Sequence, residues 1–195
     1  MLILNICLKK SNKCLILPFL VIMEITKKHI QIIEKAEALF ASKGYEGTTV
    51  RDIADAAGVN IAMISYYFGS KEKLLEALFM ERMNATKHRI EAVVKNQSLT
   101  PFQKIETLID EYITRVEEKK TFYRIMLSEQ VINKNTVVLN LMRELKLTYA
   151  QLISSVIEEG QKQKIFKKDV DIVLMLTTMT GTVMFMLINK DYYRE

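Results

Sequence analysis

The sequence predicts an all-α fold. Its 195 residues include only 6 Gly and 2 Pro, too few breakers for a loop-rich chain. Apolar residues recur at three- and four-residue spacing along most of the chain. No stretch alternates apolar and polar residues as a half-buried strand would. Hydrophobic residues make up 49% and charged residues 26%, a composition that can bury a core and is not that of a disordered chain.

The first helix is expected over 26–43. Ile33, Ala36 and Phe40 form one buried stripe there, and Gly44 is placed to end it at C′. A short second helix follows, with Thr49 as N-cap and Val50, Ile53, Ala54 and Ala57 at helical spacing. Gly58 breaks it, and Asn60 caps a short third helix. Ser70 then caps a long fourth helix through Leu75, Leu78, Phe79, Ile90 and Val93.

Thr100-Pro101-Phe102-Gln103 predicts a helix start, because Thr and Gln make a capping box and Pro at N1 sacrifices no bonded N–H. Ile105, Leu108, Ile109, Tyr112 and Val116 line one face of that helix. A shorter helix is expected over 122–129, and a long one over 136–159 that Gly160 ends. The last is expected over 169–189, with Asp169 at its N-terminus.

The two ends differ from the middle. Residues 1–22 hold Lys9, Lys10 and Lys13 and no acid, then an apolar run from Cys14. That outlines a signal peptide without its small-residue cleavage site, and the run is too short to span a bilayer. Met23 opens a polar, helix-forming sequence, so 1–22 is read as a leader or mis-called start. Between 172 and 189 no charged residue occurs. A helix apolar on every side is buried, covered by a partner or in a membrane. Thr177, Thr178, Thr180, Gly181 and Thr182 interrupt the run and favour a packed helix, leaving a membrane-associated protein as the weaker reading.

The net charge is +5, but residues 23–75 carry seven basic and seven acidic groups. Bulk charge therefore says little about partners. Both cysteines, Cys7 and Cys14, lie in the leader. Residues 15–195 thus have no disulfide framework, which suits a reducing, cytoplasmic location. There is no P-loop, paired-glycine fingerprint, HExxH or body cysteine, and His29 and His88 lack an evident partner. No enzyme, cofactor or metal site is expected.

Residues 44–69 carry four of the six glycines. Ala54-Asp55-Ala56-Ala57-Gly58-Val59 puts small residues and a turn glycine between two short helices, which suits helix-turn-helix geometry. There the second helix enters the DNA major groove. At 100° per residue Ile64 and Phe68 point inward, Ala62, Ser65 and Tyr66 outward, and Ile61 and Met63 flank them. DNA would cover such a face. Apolar side chains meet thymine methyls, and hydroxyls meet phosphates and base edges. No Arg, Lys, Asn or Gln follows Asn60 before Lys71, so methyl contacts and DNA shape are expected to outweigh bidentate reading. A tight helical corner with an exposed aromatic pair is the competing reading of the same residues.

The sequence over 32–75 resembles the TetR family of bacterial transcriptional regulators. The resemblance rests on Ala36–Phe40 (Ala-x-x-Leu-Phe), Lys43-Gly44-Tyr45-Glu46-Gly47-Thr48-Thr49-Val50, Arg51-Asp52-Ile53-Ala54, Ala57-Gly58-Val59 and Tyr66-Tyr67-Phe68-Gly69-Ser70-Lys71-Glu72-Lys73-Leu74. Many matches at fixed offsets are far more specific than one short motif. The resemblance implies a helix-turn-helix DNA-binding domain over 23–70 and a helical ligand-binding and dimerisation domain over 71–195. It implies a dimeric, ligand-responsive repressor on palindromic double-stranded operator DNA. Position by position, it implies that Thr49 and Arg51 touch backbone phosphate, Asn60, Ile61, Ala62, Met63, Ser65 and Tyr66 face the groove, and Tyr67 and Lys71 clamp phosphates. The family commonly has Lys, Gly and Thr or Ser where Ile61, Ala62 and Met63 stand, which leaves the DNA sequence open.

Phe102, Phe122, Met126, Met142, Tyr149, Met175 and Met179 are the candidate lining of a pocket for a small apolar effector, since soft Met side chains repack around ligands. The same residues also read as plain core. His88 and Arg89 are a weaker candidate pair for an anionic ligand. A homodimer through the helix at 169–189 is expected, with Val173, Leu176, Met179, Val183, Met186 and Leu187 uncovered in a single copy. The resemblance leads one to expect a further antiparallel helix after Glu195. Without it, a truncated or degenerate regulator with impaired dimerisation is the alternative.

Overall fold

The computed structural model describes residues 13–132 and 134–192, and among them it holds eight helices and no strand. The chain divides near Leu74 into two compact units.

The first unit contains α1 (Lys13–Lys43), α2 (Val50–Ala57), α3 (Ile61–Phe68) and the start of α4 (Lys71–Lys95). α1 begins 13 residues before the expected start at Thr26. The stretch from Lys13 to Ile25 contains no glycine, and α1 runs through Pro18, whose missing N–H costs one backbone bond near the start of the helix. Residues 1–12, and with them most of the expected leader, lie outside the described residues. The α1 stripe is as expected, with Ile32, Ile33, Ala36 and Phe40 buried. Ile53, Ala54 and Ala57 of α2 and Ile64 and Phe68 of α3 are buried too. Fully buried Thr48 secures the end of α1: its Oγ1 donates to the Gly44 carbonyl at 2.8 Å and the Leu39 carbonyl at 3.2 Å.

The second unit contains the rest of α4, then α5 (Pro101–Glu118), α6 (Lys120–Ile132), α7 (Thr136–Lys162) and α8 (Ile172–Ile188). Thr100 and Gln103 form the expected capping box of α5 with Pro101 at its first position. Leu108, Ile153 and Ile157 form a core cluster against which Ile105, Phe166, Met175 and Leu176 pack. Lys104, 1% exposed, reaches Glu159 at 2.8 Å and ties α5 to α7.

Three expectations need correction here. Gly160 does not end α7, which runs on to Lys162. Its role is close approach: a Cβ there would overlap the Phe166 ring, folded back as the Ile165 and Phe166 amides bond the Gly160 carbonyl. The cap of α8 is Asp171, not Asp169; its Oδ1 accepts from the Leu174 amide at 2.9 Å. The uncovered face of α8 also differs. Leu176, Met179 and Val183 are half-buried and Leu187 is buried, while Val173, Leu174, Phe185, Met186 and Ile188 are exposed. No described helix is long and apolar enough to cross a membrane.

Candidate nucleic-acid interface

The turn between α2 and α3 decides what α3 presents. Gly58 adopts φ 60°, ψ 40°, the left-handed region where a side chain is strained. Its amide bonds the Ala54 and Asp55 carbonyls, and the Val59 amide bonds Ala54 at 3.0 Å. The chain thus leaves α2 and enters α3 within three residues. Asn60 Oδ1 accepts from the Met63 amide at 2.8 Å, which caps α3 and leaves the Asn60 amide donors outside the helix. Gln31 of α1 ties the α2 end from behind, donating to the Ala57 carbonyl at 2.9 Å.

With the phase of α3 so fixed, Ile64 and Phe68 point into the core, as expected. Ala62, Ser65 and Tyr66 are exposed, Tyr66 at 79%, and Ile61 joins them at 41%; Met63 is half-buried. Tyr66 and Tyr67 meet edge to face at 5.3 Å. His29 stacks on Phe68 at 4.5 Å and lies 6.2 Å from Tyr67, so this histidine supports the reading helix. In the sequence it looked like an ordinary α1 position, and no local pattern links residue 29 to residue 68.

α2 begins with a full capping box. Thr49 Oγ1 accepts from the Asp52 amide at 3.1 Å, and Asp52 Oδ2 accepts from the Thr49 amide at 2.8 Å. The Thr49 hydroxyl also donates to Asp52 Oδ2 at 2.6 Å, and Lys43 lies 3.0 Å from Asp52 Oδ1. The Thr49 side chain first, then its amide, then Lys43 hold the Asp52 carboxyl well below the usual range. Arg51 is exposed beside this box and makes no ion pair among the described residues. Lys71 is half-buried. It donates to the carbonyls of Tyr45 at 2.9 Å and Thr48 at 3.0 Å, so two of its three donors are committed to the α1–α2 loop.

The seven residues expected to line an effector pocket do not share one setting. Phe102 is 60% exposed on the outer face of α5, in a shallow depression with Ile105, Glu106, Ile109 and Asp110. Phe122 is buried against Phe79 and Tyr123. Met142 is buried, Met126, Tyr149 and Met179 are half-buried, and Met175 packs on the Leu108 cluster. Among the described residues no group of three His, Cys, Asp or Glu gathers to hold a metal.

The comparisons with known proteins agree with this architecture. Residues 32–78 match the family model described as bacterial regulatory proteins, tetR family. Residues 101–195 match that of a tetracyclin repressor-like C-terminal domain. The chain is 33% identical over 147 residues to the "Probable HTH-type transcriptional regulator YttP" of Bacillus subtilis (strain 168), covering 73% of this chain and 68% of that one. It is 26% identical over 156 residues to the fatty acid metabolism regulator protein of the same organism, covering 80% and 79%. Among solved structures, the transcriptional regulator FadR from Bacillus subtilis in complex with stearoyl-CoA is similar, with TM-score 0.70, 25% identity and coverage of 83% and 88%.

Proposed function

Since this chain belongs to the TetR family and is a DNA-binding transcriptional regulator, we propose that it is a ligand-responsive repressor working as a homodimer on a palindromic operator. The relatives are transcriptional regulators rather than enzymes. The observation that carries the reading is the outward face of α3: Ile61, Ala62, Ser65 and Tyr66 stand exposed on a helix whose phase the Gly58 turn and the Asn60 cap fix. A solvent-facing apolar and aromatic strip of this kind needs a cover. Asn60, Ile61, Ala62, Met63, Ser65 and Tyr66 face the groove, with Ile61 and Ala62 against thymine methyls. Arg51 and Tyr67 grip phosphates on either side, Thr49 holds the start of α2 beside them through Asp52, and Lys71 holds the loop from which Thr49 projects.

The exposed Val173, Leu174, Phe185, Met186 and Ile188 support pairing of α8 with its copy in a second chain. Two reading heads about 34–36 Å apart then reach successive major grooves. Effector binding favours a conformation that misplaces them, so effector and operator oppose each other reciprocally. The repressor name of a relative supports repression, and the stearoyl-CoA complex of FadR supports regulation by ligand.

Binding-site selection from random duplexes, repeated with deoxyuridine for thymidine, tests the groove assignment. Removing the 5-methyl at the positions under Ile61 and Ala62 should weaken binding by about 1 kcal/mol each, in the range of single-base discrimination. Equal affinity for both duplexes would refute methyl reading, and no selected consensus would refute operator recognition.

A further inference from the structure

The second unit holds a cluster of donors that its own acceptors do not satisfy. The Arg115 side chain is 12% exposed, yet it has two partners: Thr86 Oγ1 at 2.7 Å and Glu111 at 3.4 Å. A guanidinium has five N–H donors, so most of this one is unspent. Glu111 is shared with Arg89 at 3.5 Å, so two cations face one carboxylate. Three tyrosines, one each on α5, α6 and α7, lie near this group. Tyr112 precedes Arg115 by three residues on α5, on the same helical side. Tyr123 of α6 meets Tyr112 edge to face at 6.2 Å. Tyr149 of α7 donates weakly to the Met83 carbonyl at 3.4 Å.

Neither the Tyr112 nor the Tyr123 hydroxyl bonds another described residue. No fully buried side-chain polar atom is left unpaired among the described residues, so both hydroxyls open onto accessible space rather than sealed core. Burial pushes all three tyrosines above the ordinary 10.0, which keeps them protonated and able to donate. Beside them, the Phe122 ring lies 5.7 Å from Tyr123 and 5.1 Å from Phe79 and forms an apolar wall.

We propose that Arg115, Tyr112, Tyr123 and Tyr149 form the head-group site for an amphipathic effector whose anionic end, a carboxylate or a phosphate, enters the cluster while its apolar body lies along Phe122. The proposal rests on the ligand-responsive reading above and replaces a purely apolar effector by an anionic one. Converging donors with one loosely held acceptor suit a planar or tetrahedral anion, since charge-assisted bonds to Arg are the strong ones. Arg89 and Arg115 share one carboxylate, and the ligand anion supplies a second. Glu111 occupies the position the ligand oxygen takes, and it is released to Arg89 when the ligand arrives.

The test is tyrosine fluorescence, free of interference because the chain has 8 Tyr and no Trp. Full-length protein is titrated with matched series of saturated carboxylates, alkyl phosphates and neutral alcohols of equal chain lengths. One anionic series should bind about tenfold or more tighter than the alcohols. Which series wins identifies the head group. Arg115→Gln should abolish that preference, Arg115→Lys should keep part of it, and Arg89→Gln should keep all of it. Helical circular dichroism and Tm are followed for each variant, and Arg115→Lys carries the test if Arg115→Gln unfolds. Carboxylates, phosphates and alcohols binding alike, no binding in any series, or an intact preference in folded Arg115→Gln would overturn the proposal. Operator retardation by the same samples without ligand separates the two levels: retained DNA binding with no anion preference sinks the head-group site alone, and absent DNA binding sinks the repressor reading.

Discussion

Lys71 Nζ donates to the Tyr45 carbonyl at 2.9 Å while lying 4.1 Å above the centroid of the same residue's ring. With its bond to Thr48 at 3.0 Å, this fastens the first turn of α4 to the loop before α2. One cation thereby fixes the place from which Thr49 and Arg51 project.

Lys71→Met should therefore act through the reading head as a whole. Two charge-assisted bonds and a cation–π contact are lost from a half-buried site. The expected cost is about 1–3 kcal/mol of stability, with DNA affinity falling alike for all sequences. Thermal unfolding and affinity for two unrelated duplexes check it. A sequence-dependent loss at unchanged Tm would contradict the positioning role.

At the start of α2, Thr49→Ala removes the cap and should destabilise the first unit by about 1 kcal/mol. Acid should also weaken this capping box. The Asp52 pKa is lower in the folded state, so its contribution is present above the ordinary carboxylate value of 3.8 and is lost as pH falls below it. In Asp52→Asn the acid-side loss should shrink, as read by denaturant unfolding along a pH series.

In the second unit the titrating groups work the other way. Tyr112, Tyr123 and Tyr149 are raised by burial, so their contribution is complete below 10.0 and is lost as pH rises through their folded values. Tyrosinate absorbance should show a group of tyrosines titrating late, together with alkaline loss of helix. Titration of every tyrosine near the ordinary value in the folded protein would contradict that burial.

The α5–α7 tie predicts an asymmetry. Glu159→Ala strands the ammonium of Lys104, 1% exposed, and should cost about 2 kcal/mol, discounted because Glu159 itself is 37% exposed. Lys104→Met removes the charge with its need for a partner and should cost less than half as much. Equal losses in denaturant unfolding would count against a buried-charge origin.

Features that depend on neighbours in sequence were legible in advance. The Thr49, Asn60, Ser70 and Thr100 caps and the inward phase of Ile64 and Phe68 follow from three- and four-residue spacing alone. Features set by distant residues were not. Gly160 has the local look of a stop, and the Phe166 ring gives it another use. Asp169 has the local look of a helix start, but α8 begins two residues later, with Asp171 as its cap. Phe102 looked like pocket lining and faces outward. Arg115 has no motif around it, and its place three residues after Tyr112 on a buried face is the one local signal it carries.

The direct test of the account is electrophoretic retardation of duplexes from the protein's own genome at low ionic strength, comparing the native chain with Ala62→Glu. Ala62 is exposed, so Tm should be unchanged while a carboxylate is placed against the groove. The native chain should retard a palindromic duplex, and Ala62→Glu, equally folded, should not. Failure of the native chain to retard any duplex, or undiminished binding by Ala62→Glu, would contradict it.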